Sequence, residues 1–103
     1  MDKNTAIEAT RKFRKALEER NIKVDKIILF GSYSKGTQRD GSDIDVAVIS
    51  KDFEGRNYWE RIDILTDAIY EVFQPIEAVP FTPKEWEKGD KLIINYAAEG
   101  EAI

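Results

Sequence analysis

The chain predicts an α/β (α+β) fold: a small mixed β-sheet flanked by helices, forming one domain over residues 1–103. Three observations predict it. Two long stretches carry apolar residues at helical spacing, near residues 5–20 and 58–73. Between them lie two short β-rich runs, Lys26–Phe30 and Ile44–Ile49. The length of 103 residues, with 42% hydrophobic and 11% aromatic residues, suits one small core and gives no sign of disorder.

Each element has a local reason. The first helix is expected to start at Thr5, because Thr5-Ala6-Ile7-Glu8 fits a capping box. Ala6, Ala9, Phe13, Ala16 and Leu17 form its apolar stripe, the interleaved charges read as a solvated face, and Asn21 is the expected stop. The first strand is Lys26–Phe30. The second, Ile44–Ile49, sets Ile44, Val46 and Val48 on one face and Asp45, Ala47 and Ile49 on the other; apolar residues on both faces predict a central strand covered on two sides. Residues 51–56 read as a loop. The second long helix, residues 58–73, has Tyr58, Ile62, Leu65, Ile69 and Val72 as its buried stripe and ends before Pro75. A short strand is expected at residues 76–79, bracketed by Pro75 and Pro80. Thr82-Pro83-Lys84-Glu85 then opens a helix with an N-cap threonine, proline at N1 and glutamate at N3. Gly89 interrupts it, residues 91–99 form a last helix stopped by Gly100, and residues 102–103 add a brief strand.

Composition excludes several chemistries. There is no cysteine and no histidine, which removes disulfides, thiolate nucleophiles, Ser-His triads and His-ligated zinc. A formal net charge of −4 argues against general nucleic-acid binding through phosphate contacts. No apolar run approaches the roughly 18 residues of a membrane span and no signal peptide is visible, so a soluble, cytoplasmic protein is expected. Chemistry here must rest on carboxylates, hydroxyls, amines and a hard metal.

The segment Gly31-Ser32-Tyr33-Ser34-Lys35-Gly36 to Ser42-Asp43-Ile44-Asp45 carries such a chemistry. A Gly-Ser turn directly after an apolar strand lets the backbone approach a ligand, and Ser32 can offer its hydroxyl and amide to a phosphate oxygen. In an extended strand, residues two apart project from the same face with Cα atoms roughly 6.6 Å apart, so Asp43 and Asp45 point together. Two carboxylates about 5 Å apart repel by on the order of 3 kcal/mol at an effective dielectric of 20. A divalent cation turns that repulsion into attraction, and Mg²⁺ is typically held by one or two carboxylates plus substrate phosphates. The layout is that of a nucleotidyl or phosphoryl transfer site. Rivals fare worse. Gly31 and Gly36 have P-loop spacing, but Thr37-Gln38 stand where Lys-Ser/Thr is needed. An EF-hand loop from Asp40 lacks its glycine and final glutamate at the required places. Taken singly, a Gly-Ser turn or an exposed acidic pair would be ordinary surface; their order and spacing together make the signal.

The pattern Gly31-Ser32-x-x-x-Gly36-x5-Ser42-Asp43-x-Asp45 resembles the signature of the DNA polymerase beta-like nucleotidyltransferase superfamily. Chain length and the flanking elements resemble its minimal nucleotidyltransferase branch, often encoded beside a HEPN-domain protein as a toxin–antitoxin pair. The resemblance implies a polymerase beta-like core, with Gly31, Ser32 and Ser42 in the nucleotide-binding motif and Asp43 and Asp45 holding Mg²⁺. Lys35 stands where many relatives carry arginine, retaining a phosphate-contacting cation as a point charge. Relatives place a third carboxylate on the following strand, where the acidic candidate is Glu77; a polar residue on an edge strand is its equal rival.

By the same resemblance, the expected reaction is transfer of AMP from ATP, with two Mg²⁺ ions, to a hydroxyl on a HEPN-domain partner. A homo- or hetero-oligomer is compatible with it. The alternatives are a non-catalytic nucleotide-binding or protein-binding antitoxin subunit, and a nucleotide sensor. Trp59 and Trp86 are expected to pack or to anchor an interface, Tyr33 to pack and Arg39 to be solvated.

Overall fold

A computed structural model describes residues 1–103 as a four-stranded mixed sheet between two layers of helices. Helix α1 spans Lys3–Glu19 and starts a half-turn earlier than expected. Asp2 is its N-cap, accepting the Thr5 N–H at 2.8 Å, so Thr5 lies inside the first turn and the Thr5–Glu8 capping box does not form. The stripe of Ala6, Ala9, Phe13, Ala16 and Leu17 is buried throughout. Asn21 takes a left-handed φ of 63° just past the helix, and the Ile22 N–H returns to the Leu17 carbonyl at 3.1 Å.

Strands β1 (Lys26–Phe30) and β2 (Ile44–Ile49) have the expected bounds and pair antiparallel, with Leu29 opposite Val46. Between them stands a one-turn helix, α2 (Ser32–Lys35). The loop expected at residues 51–56 begins as a 3₁₀ turn, Lys51–Phe53, that buries Phe53 completely. Helix α3 (Tyr58–Val72) carries a capping box of Asn57 and Glu60. Leu65 and Ala68 centre its buried face, with Ile62, Ile69 and Val72 partly buried beside them. Tyr58 departs from the expected stripe: it is 57% exposed and lies edge-on to Trp59 at 5.3 Å, beyond the part of the helix that faces the core.

Helix α3 is the crossover that makes β3 (Ile76–Phe81) parallel to β2. β3 runs two residues further than expected and takes Pro80 into the strand. The sheet order β3-β2-β1-β4 explains this, because β3 is an edge and an edge strand tolerates a residue without an N–H. Helix α4 (Pro83–Lys88) has the Thr82–Glu85 capping box and ends at Gly89, φ 61°. Helix α5 (Leu92–Ala97) is shorter than residues 91–99, because the chain turns through Gly100 to lay β4 (Glu101–Ala102) antiparallel on β1.

The two faces of β2 enter two cores, as its apolar alternation predicts. Ile44, Val46 and Val48 join α1, α3, Phe53 and Tyr33. Ala47 and Ile49 join Ile28, Phe30, Phe81, Ile94 and Ala97 under α4 and α5.

Candidate active site

Gly31 leaves β1 with φ 73° and ψ −151°, a region open essentially to glycine alone. The reason is visible beside it. A Cβ at this position would collide with Asp45 Oδ2 and stand 3.1 Å from Asp45 Cγ, so the Asp45 carboxylate lies directly against the Gly31 backbone. The turn is then closed by α2: the Lys35 N–H donates to the Gly31 carbonyl at 3.1 Å, and the Thr37 N–H to the Ser32 carbonyl at 2.9 Å. Tyr33, 2% exposed, roots this turn in the larger core, as expected.

The sheet register gathers the acids. Phe30 of β1 is opposite Asp45 of β2, and Asp45 is opposite Glu77 of β3. Directly opposed residues share a face of the sheet. Phe30, Asp45 and Glu77 therefore form one row on the α4–α5 side, with Asp43 two residues upstream of Asp45. Asp45 is half-buried, whereas Asp43 and Glu77 are exposed. Burial, followed by repulsion from Glu77 and then from Asp43, pushes the Asp45 carboxyl up from 3.8 to about 6. None of the three acids forms a salt bridge. The carboxylates do not close into a cage: no group of three acids stands close enough to hold a metal by itself. Hard oxygen donors of this kind fit a divalent cation whose coordination is completed by phosphate and water.

The remaining sequence-predicted residues fall around this row. Ser32 opens α2 and is half-buried. The Ser42 hydroxyl oxygen accepts the Arg39 N–H at 2.9 Å while the Ser42 N–H donates to the Arg39 carbonyl at 3.0 Å, so Ser42 staples the loop that delivers Asp43. Arg39 is exposed, its guanidinium in no ion pair. The Lys35 ammonium lies 4.6 Å from the centroid of the Tyr96 ring, which itself stands edge-on to Phe30 at 5.6 Å. Phe30 and Tyr96 escaped the sequence reading. Phe30 could have been found by counting the antiparallel register back from Asp45; nothing in the local sequence marks Tyr96. Trp86 packs on Phe81 at 5.9 Å, as expected, whereas Trp59 is 72% exposed. The site itself is open: the four surface clefts lie elsewhere, including one of about 340 Å³ between Ile69, Tyr70, Phe73, Gln74 and Pro75.

Residues 10–99 match the family profile described as a nucleotidyltransferase domain. The protein adenylyltransferase MntA of Shewanella oneidensis is 42% identical over 59 residues, which is 56% of this chain and 42% of that protein. A provisionally named protein adenylyltransferase of Methanocaldococcus jannaschii is 44% identical over 62 residues, 53% of this chain and 71% of its own length. Against MntA, then, the match spans less than half of the relative. Among solved structures, a chain from a crystal structure of a toxin–antitoxin with AMP-PNP superimposes with a TM-score of 0.65 at 25% identity, covering 89% of this chain and 69% of that one.

Proposed function

The chain belongs to the nucleotidyltransferase domain family, and on that premise we propose that it transfers AMP from ATP to a hydroxyl on a partner protein. The observation that carries the reading is the row in which Asp45 lies against Gly31, with Glu77 beside it and Asp43 two residues upstream. Gly31 and Ser32 receive the triphosphate. The first N–H groups of α2 have no partner within the helix and are free to meet phosphate oxygens, and Lys35 supplies a positive charge. Asp43 and Asp45 would hold Mg²⁺, with phosphate and water completing its coordination and Glu77 adding negative charge beside them. A divalent ion held there would supply positive charge to the reacting phosphate oxygens.

The reaction asks little covalent chemistry of the protein. The acceptor oxygen bonds to the α-phosphorus, the α–β bridging bond breaks with its electron pair leaving on pyrophosphate, and the acceptor proton passes to a site carboxylate or to water. Placement and electrostatics supply the acceleration, which suits a chain without histidine or cysteine. The open site leaves the acceptor to be presented by a second protein. The relative solved as a toxin–antitoxin, together with the similarity to MntA, supports a toxin as that partner, and a HEPN-domain protein is the candidate.

The test is co-expression with a candidate HEPN-domain partner, followed by intact-mass measurement of that partner. One added AMP on the partner, absent with Asp43→Asn or Asp45→Asn, is the expected result. Partner inhibition that persists without ATP and in both variants would replace transfer with simple binding.

A further inference from the structure

Lys35 is exposed at the end of a one-turn helix and forms no salt bridge, which would ordinarily leave its four-carbon stem free to wander. Its ammonium is instead placed, 4.6 Å from the centroid of the Tyr96 ring. That ring is held in turn. Its edge-on contact with Phe30 at 5.6 Å and an interplanar angle of 83° sets it on the face that carries Asp45 and Glu77. Ile94 and Ala97, the buried residues of α5, clamp the helix from which it projects. Tyr96 remains 42% exposed, so the ring is not sealed into the core beneath it.

We propose that Tyr96 is a positioning residue: its ring holds the Lys35 ammonium at the rim of the phosphate turn, so that nucleotide binding does not have to order that side chain. The inference rests on the reading of Lys35 as a phosphate contact. A lysine already confined loses less freedom when a triphosphate arrives, and a cation–π contact confines it without neutralising its charge as a carboxylate would. The same contact ties α5, far along the chain, to the turn after β1.

The test measures AMP-PNP affinity by calorimetry in the presence of Mg²⁺. Lys35→Met is expected to weaken binding. Tyr96→Leu, which removes the π face, is expected to weaken it by about 2- to 5-fold, the size of an exposed cation–π contact. Tyr96→Phe keeps the face and is expected to match wild type. In the Lys35→Met background, Tyr96→Leu is expected to add nothing. Under turnover, Tyr96→Leu raises the KM for ATP and leaves kcat near wild type. Ring-current upfield shifts of the Lys35 side-chain protons, seen by NMR in the wild type and in Tyr96→Phe, report the contact itself; Tyr96→Ile substitutes for Tyr96→Leu if the latter loses its cooperative melt. Unshifted Lys35 protons in the wild type, an affinity unchanged or increased in Tyr96→Leu, or a Tyr96→Phe variant as weak as Tyr96→Leu each overturn the proposal. A Lys35→Met variant that binds normally removes the phosphate role of Lys35 and this inference with it. Weakened Lys35→Met beside unaffected Tyr96→Leu sinks the positioning role alone.

Discussion

Asp45 shows what the proposed chemistry costs the fold. Its carboxyl titrates near 6 when folded against an ordinary 3.8, raised by burial first and then by Glu77 and Asp43. Folding therefore favours the protonated acid. That contribution is complete below about 3.8 and is lost as pH climbs through 6, where the carboxylate must ionise half-buried beside two like charges. Asp45→Asn is expected to melt at a higher temperature than wild type at neutral pH, with an advantage that fades as the solution is acidified below 6 and vanishes near 3.8. The same substitution is expected to lower AMP transfer by about 100-fold or more, since even groups that merely support metal ligands are worth 10–100-fold. Melting curves with pH, set beside transfer rates, check both directions. An Asn variant no more stable than wild type at neutral pH contradicts the strained carboxylate. Gly31 is the companion case: Gly31→Ala meets a left-handed φ of 73° and the Asp45 carboxylate together. A loss of roughly 1–3 kcal/mol by urea unfolding is expected, with weaker nucleotide binding. The Gly-Ser and Asp-x-Asp spacings were legible in the sequence, whereas the contact between Gly31 and Asp45 needed the register of two strands.

At the scale of elements, boundaries followed wherever a local signal was unopposed. The Thr82–Glu85 capping box and the bounds of β1 and β2 are such cases, each decided by residues within a few positions. Misses came where a competing signal or the sheet order decided. Asp2 displaced Thr5 as the N-cap, and Pro80 entered β3 because that strand lies at the edge. The end of α5 is the most instructive case, because the helix stops at Ala97, short of Gly100, and Gly100 is needed for a reason outside the helix. A Cβ there would collide with the Leu29 carbonyl oxygen and come within 2.9 Å of the Leu29 carbonyl carbon and Phe30 Cβ. The turn thus passes flat over β1 so that β4 can pair with Ile28 and Leu29. Gly100→Ala is expected to destabilise the protein by about 1–3 kcal/mol, the usual cost of overpacking. Because α5 carries Tyr96, the variant should also loosen the Lys35 contact. Unchanged urea stability would show that β4 contributes nothing to the sheet.

Across the whole molecule, the sheet is a partition. Its α1–α3 face holds the larger core, and its α4–α5 face holds a smaller one that stops short of Asp45 and Glu77. The acids therefore stand at the rim of a well-supported sheet, open to solvent on one side, and no helix is long and apolar enough to cross a membrane. The two-faced core was legible from the alternation in β2. The gathering of Gly31, Asp45 and Glu77 was legible only through the family resemblance, and the place of Tyr96 was not legible at all, because α5 brings it from a distant part of the chain. The central proposal is that Asp43 and Asp45 share a divalent ion with a nucleotide seated at Gly31-Ser32. Calorimetric titration of AMP-PNP into wild type, Asp43→Asn and Asp45→Asn, each with Mg²⁺ and with EDTA, tests it most directly. Binding that requires both the metal and the two aspartates is predicted; equal binding in EDTA, or undiminished binding by the Asn variants with Mg²⁺, would contradict it.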